Sequence, residues 1–103
     1  MHVTVAESEV LSALWRRGPL GAKQLITEVR SVQPWGEATI KTLLNRLMHK
    51  GAIRSVRDDG RLEYRALLSR EAYIDAEVQA LADRLFAGDA SALAAYLAGR
   101  GEV

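Results

Sequence analysis

Between Ala38 and Lys50 the polar side chains are Thr39, Lys41, Thr42, Asn45, Arg46, His49 and Lys50, and there is no carboxylate among them. The residues that remain, Ile40, Leu43, Leu44, Leu47 and Met48, recur at helical spacing and form an apolar stripe. Such a helix buries one side and offers water a face of hydroxyl, amide and cationic groups. Those groups match what nucleic-acid edges present. Arginine pairs with guanine, asparagine with adenine, and threonine offers a hydroxyl or a methyl contact to thymine. Lysine neutralises phosphate. Glu37 stands just before the run, in the first helical turn, where a negative charge complements the helix dipole. An ordinary solvated helix face is the competing explanation. The missing acids, directly after a short helix and a turn, favour DNA.

A second group of cations follows in Arg54, Arg57, Arg61 and Arg65, on either side of Asp58-Asp59-Gly60. Asp-Gly is a hairpin signal, and a turn at Asp59-Gly60 sets Arg54 opposite Arg65, a like-charge pair unfavourable on its own. A phosphate between them would relieve the repulsion, and Arg61 near the tip suits the negative potential of a minor groove. An edge hairpin that uses charge against aggregation explains the same residues equally well, with Asp58, Asp59 and Glu63 in its support.

Other chemistry finds no footing. His2 and His49 have no metal-ligand spacing, so no metal site is expected. Ser8, Ser12, Ser55, Ser69 and Ser91 lack a nucleophile elbow. Gly18, Gly21 and Gly36 make no phosphate-cradling loop. Trp15, Trp35, Tyr73 and Phe86 read as core or interface. Neither an enzyme nor a cofactor is expected.

The elements that must position the polar face are legible from capping and period. Thr4 and Glu7 have capping-box spacing, and Val10, Leu11, Leu14 and Trp15 form a stripe that Gly18-Pro19 should end. A second helix spans Gly21 to about Ser31, with Ala22, Leu25, Ile26 and Val29 inward, until Pro34-Trp35-Gly36 breaks it. The third ends at Lys50-Gly51. Strands are expected over 52–57 and 62–67. Ser69 then suits the cap of a long helix to about Ala87, in which Ile74, Val78, Leu81 and Leu85 recur at the spacing of a coiled-coil seam. Gly88 stops it, and Asp89 can cap a last helix with Leu93, Tyr96 and Leu97 on one side. The expected fold is mainly α with a small β-hairpin: a winged helix-turn-helix over residues 1–68, then a helical dimerisation segment over 69–103. Ile74, Val78, Leu81, Leu85, Phe86, Leu93 and Leu97 are the expected dimer contacts, because the seam follows a module that already looks complete.

Charge agrees with this division. Residues 1–68 hold eleven Lys/Arg against seven Asp/Glu, and residues 69–103 hold three against six. A basic front and an acidic back suggest that only the front meets a polyanion. No apolar run approaches the roughly 18 residues of a membrane span, no secretory signal is apparent, and cysteine is absent. A cytoplasmic protein without membrane contact is therefore expected.

Trp35, the run Thr39-Ile40-Lys41-Thr42-Leu43-Leu44-Asn45-Arg46-Leu47 and then Lys50-Gly51 resemble the reading-helix signature of the penicillinase-repressor family (BlaI, MecI and the copper repressor CopY). Supporting matches are Glu9-Val10-Leu11 with Leu14-Trp15, Gly60-Arg61 with Tyr64-Arg65, Ser69-Arg70-Glu71 with Tyr73, and Leu85-Phe86 with Gly88-Asp89. The resemblance implies a homodimeric winged-helix repressor of resistance or stress-response genes, acting at operators with TACA/TGTA half-sites. It implies DNA contacts from Thr39, Lys41, Thr42 and Arg46, while Ala38 and Asn45 sit where relatives vary. The copper branch's cysteine-rich tail has no counterpart. In the β-lactam branch the implied partner is a membrane sensor protease that triggers cleavage at an Asn-Phe bond; here that stretch reads Ala95-Tyr96-Leu97. Family members commonly continue beyond the position of Val103, which suggests a truncated or minimal member or a smaller dimer interface.

The reading that follows is a homodimeric repressor of double-stranded operator DNA, with Thr39, Lys41, Thr42, Asn45, Arg46, Lys50, Arg54, Arg61 and Arg65 at the DNA. A dimer would set two reading helices about 34–36 Å apart, one DNA turn. A protein-interaction module and a small-molecule-responsive regulator are the alternatives. The first must place a basic face against protein, and the second needs a pocket that the sequence does not advertise.

Overall fold

A computed structural model of the chain describes residues 1–101. The elements run α1 (Val5–Arg17), α2 (Ala22–Arg30), α3 (Glu37–Lys50), β1 (Ile53–Asp58), β2 (Arg61–Ala66), α4 (Arg70–Leu85) and α5 (Ala90–Gly101). Contacts divide the chain into a compact unit over Met1–Arg70 and a second from Glu71 onward. Residues 102 and 103, the end of the expected dimerisation segment, lie outside the described residues.

Helix α1 begins as its spacing predicts. The Glu7 amide donates to Thr4 Oγ1 at 3.1 Å and the Thr4 amide donates to Glu7 Oε1 at 2.8 Å, closing a reciprocal capping box. Val10, Leu11 and Leu14 from α1, Leu25, Ile26 and Val29 from α2, and Ile40, Leu43, Leu44 and Leu47 from α3 are all buried. These stripes form the core of the first unit, joined by Val3, Leu20, Ala52 and Ile53. Because α3 gives Ile40, Leu43, Leu44 and Leu47 to this core and leaves Met48 half-buried at its edge, its polar face is left outward.

Gly51 ends α3 in the left-handed region at φ 79°, and its amide returns to the carbonyls of Leu47 and Met48. The strands pair antiparallel with Arg54 opposite Arg65 and Asp58 opposite Arg61, so the turn is the two residues Asp59-Gly60. Both have positive φ, 51° and 77°, as a tight turn matched to strand twist requires. Each strand lies one residue closer to the turn than the sequence reading placed it. Leu20 adds an unforeseen third strand of one residue: its amide and carbonyl pair with those of Tyr64 at 3.2 and 2.8 Å. The Trp15 indole N–H donates to the Leu68 carbonyl at 2.9 Å and ties α1 to the end of the hairpin segment.

In the second unit α4 ends at Leu85, two residues before the expected stop, and Ala87 and Gly88 both take positive φ in the turn to α5. The Asp89 carboxylate accepts from the Ala92 amide at 3.1 Å, as expected of a cap. The Phe86 and Tyr96 rings meet with centroids 5.9 Å apart. No helix among the described residues is long and apolar enough to cross a membrane.

Candidate nucleic-acid interface

The polar face of α3 resolves into three rows. Ala38, Thr42, Asn45 and His49 lie opposite the buried Ile40, Leu44 and Leu47, and all four are exposed. Thr39, Arg46 and Lys50 form one flank of that row, and Lys41 lies on the other. Thr42, Asn45, Arg46, His49 and Lys50 together line a shallow concavity of ≈350 Å³ along the helix. The expected reading residues of α3 are thus brought to one surface. His49, expected on this face as a surface residue rather than a metal ligand, sits in the middle of it.

Local bonding narrows what some of these groups can offer. Thr42 Oγ1 donates to the Ala38 carbonyl at 3.0 Å, so its proton is occupied and it presents a methyl group and an acceptor oxygen. Lys41 pairs with Glu37 one turn earlier at 3.2 Å, with both side chains more than half exposed. A pair in water contributes under about 1 kcal/mol, which leaves the ammonium readily transferable to a phosphate.

Lys50 departs from expectation. Its ammonium donates to Glu7 Oε1 at 2.6 Å and to the His2 carbonyl at 2.7 Å, and so is turned toward the start of α1. The Glu7 side chain is 1% exposed, which makes Lys50 the counterion of a buried carboxylate. Burial by itself raises the Glu7 carboxyl, but hydrogen bonds from Lys50 and Thr4 and the charge of Lys50 outweigh it. The group is held below the ordinary carboxylate range. Moving Lys50 to a phosphate would leave that charge buried without its counterion, so a DNA contact at Lys50 competes with this structural bond. The signal that could have found this is Glu7 itself, a carboxylate at the same helical phase as Leu11 and Leu14.

The hairpin also differs in its charge. Arg54 and Arg65 are cross-strand partners as expected, but Arg65 reaches Glu63 at 3.7 Å and Asp58 at 3.9 Å. Carboxylates of the hairpin thus lie near enough to offset part of the like-charge repulsion. Arg54 and Arg61 are exposed.

In the second unit Ile74, Val78 and Leu85 on one face of α4 are exposed at 38%, 43% and 58%, and Leu97 on α5 at 59%. Leu81 and Phe86 are half-buried. Leu93, expected at the dimer contact, is buried within the single chain and so offers little surface to a partner. Ala95-Tyr96-Leu97, the stretch corresponding to the cleavage bond, lies on α5 with all three residues exposed. Among the described residues no cluster of His, Asp or Glu could hold a metal ion.

This architecture has known relatives. The family model described as penicillinase repressor matches residues 3–103. The penicillinase repressor of Bacillus licheniformis is 25% identical over 87 residues, covering 84% of this chain and 68% of that protein. The methicillin resistance regulatory protein MecI of Staphylococcus aureus strain N315 is 32% identical over 67 residues, 65% of this chain and 54% of that protein. An uncharacterized 16.5 kDa protein of Latilactobacillus sakei is 29% identical over 84 residues, 82% and 58% respectively. The matched segment thus spans only 54% to 68% of these relatives' own lengths. Among solved structures, Bacillus licheniformis BlaI, in monomeric form with the blaP half-operator, superposes with a TM-score of 0.64 at 26% identity. The match covers 71% of this chain and 89% of that one. The DNA-binding domain of BlaI gives 0.62 at the same identity, over 70% and 88%.

Proposed function

The chain belongs to the penicillinase-repressor family, and from that premise we propose that it is a sequence-specific DNA-binding transcriptional repressor acting as a homodimer on a pseudo-palindromic operator. The observation that carries this reading is the acid-free outward face of α3, from Ala38 to His49, backed by the buried Ile40, Leu43, Leu44 and Leu47. A structurally similar relative has been solved on a half-operator, which supports one half-site for each reading helix.

In this reading Arg46 and Asn45 take base edges in the major groove, and Thr39 and Thr42 contribute methyl and hydroxyl contacts. Lys41 moves from Glu37 to a phosphate, and Arg54 and Arg61 of the hairpin flank the helix on the backbone or in the minor groove. The exposed apolar side chains Ile74, Val78 and Leu85 of α4 and Leu97 of α5 pair with the same residues of a second chain, so that one dimer spans two half-sites. Catalysis plays no part.

The test is gel retardation on duplexes that the wild-type protein selects from a random-sequence pool, repeated across salt. Three phosphate-neutralising cations per protomer, Lys41, Arg54 and Arg61, give a dimer a slope of log affinity against log salt of about −5. A selected duplex should be held far more tightly than random DNA. No retardation at low salt, or equal binding of selected and random duplexes, rejects the proposal.

A further inference from the structure

Lys50 shares the helical row of Thr39 and Arg46, yet its side chain is bonded at the start of the chain, to groups at and just before α1. Its ammonium clasps Glu7 Oε1 at 2.6 Å and the His2 carbonyl at 2.7 Å, 43 and 48 residues away in sequence. The same Glu7 oxygen accepts from the Thr4 amide at 2.8 Å. One buried carboxylate oxygen therefore joins the cap of α1 to the last turn of α3. The other oxygen, Oε2, is buried without a hydrogen-bond partner, so the carboxylate depends on this one set of donors.

What α3 needs for reading DNA is a fixed position along and about its axis. Its buried contacts are Ile40, Leu43, Leu44 and Leu47, whose apolar attraction is non-directional. Directional bonds fix register. The described bonds of Thr42 and Lys41 stay inside α3, whereas those of Lys50 leave it for α1. A lysine four residues after Arg46 that is tied to a buried anion holds the reading face at one rotation and one height.

We propose that the Lys50–Glu7 pair, with the His2 carbonyl, is a latch that sets the register of the reading helix. In it Lys50 and Glu7 act as positioning residues for operator discrimination without touching DNA. This rests on the DNA-reading role of α3 proposed above.

Glu7→Gln, Lys50→Met and the double variant test it, at a temperature where melting curves show each folded. Affinities are measured for a duplex selected by the wild-type protein and for random-sequence duplex, across salt. A network residue without ligand contact shifts such a preference by about 2-fold to 30-fold. We expect a loss in that range from Glu7→Gln and from Lys50→Met, an unchanged salt slope, and a double variant no worse than Lys50→Met. If melting temperature falls while the preference stays, the pair is only a stabilising contact and the proposal is overturned. It is equally overturned if Lys50→Met flattens the slope by about 0.9 per protomer while Glu7→Gln does nothing, the mark of a phosphate contact. Should the methionine variant not fold, Lys50→Gln removes the charge and shortens the reach to Glu7 while staying polar, and the same loss of preference with an unchanged salt slope is expected of it. Hydrogen exchange gives an arm independent of DNA: the amides of residues 47–51 should exchange faster in Glu7→Gln. If the wild-type protein selects no sequence, the DNA-reading role fails, and unchanged exchange in this turn would reject the latch separately.

Discussion

Replacing Arg46 by alanine separates reading DNA from merely holding it. Arg46 is exposed on α3 and its backbone is fixed by the buried Leu43 and Leu47 beside it, so truncation leaves no cavity. Surface changes of this kind stay within about 0.5 kcal/mol of neutral stability. If the guanidinium pairs with a guanine, its loss removes about 1–3 kcal/mol of discrimination per half-site. At 1.4 kcal/mol per tenfold, that is about 5-fold to 150-fold in preference on a half-site duplex. On a palindrome held by two protomers the free energy doubles to about 2–6 kcal/mol. Lys41→Ala is the contrast. Its ion pair with Glu37 is solvated, so little stability is lost, and the variant should weaken selected and random duplexes alike. Its salt slope should fall by about 0.9 per protomer. Competition titrations by fluorescence anisotropy, at three or more salt concentrations, measure both quantities. If Arg46→Ala keeps the wild-type preference, or loses affinity equally for all sequences, the assignment of base reading to this side chain is wrong.

Three further outcomes follow from the same structure. Leu85→Asp and Val78→Asp put a charge into the exposed apolar row without disturbing a buried site, and should sediment as monomers; a dimer of wild-type mass would move the interface elsewhere. The Glu7 carboxyl is depressed in the folded chain, so its contribution is complete above the unfolded carboxylate range near pH 4.5 and fades as pH falls through the lower folded value. The stability gap between wild type and Glu7→Gln, read from melts, should therefore be constant from pH 7 to about 5 and shrink below that; a gap growing in acid would reverse the sign of the argument. Ala87 has φ 51°, a region that costs a side chain about 1–2 kcal/mol, against which glycine brings about 0.4–1 kcal/mol of unfolded-state entropy. Ala87→Gly should stabilise the turn between α4 and α5 by about 0.5–1 kcal/mol, and a lowered unfolding midpoint would contradict it.

Local signals made much of this fold legible. Thr4 and Glu7 started α1, Gly51 ended α3, and Asp59-Gly60 set a register that put Arg54 against Arg65, because each depends on residues close in sequence. The outward face of α3 was legible for the same reason, since one helical period fixes both what is buried and what is not. Contacts between distant residues were not legible. Leu20 adds to the sheet through backbone atoms alone, and backbone pairing of a single residue leaves no compositional trace. The bond from Lys50 to Glu7 was not legible from the phase of Lys50 on α3, because a long flexible side chain need not follow its Cα and a buried anion on α1 attracts it. Arg65 was read through its like-charged partner, whereas Asp58 and Glu63 lie within reach of its guanidinium in space. Leu93 and Leu97 share a helix and differ in burial, a distinction that one turn of spacing along α5 does not reveal.

The central claim is that the outward face of α3 reads DNA, and the most direct measurement is an amide and side-chain NMR titration of the full chain with a selected duplex. Shifts should concentrate on Thr39, Lys41, Thr42, Asn45, Arg46 and His49 and at the hairpin around Arg61, with Lys50 still bonded to Glu7. A titration that leaves α3 unperturbed while other surfaces respond, or that produces the same pattern with random-sequence duplex, would contradict it.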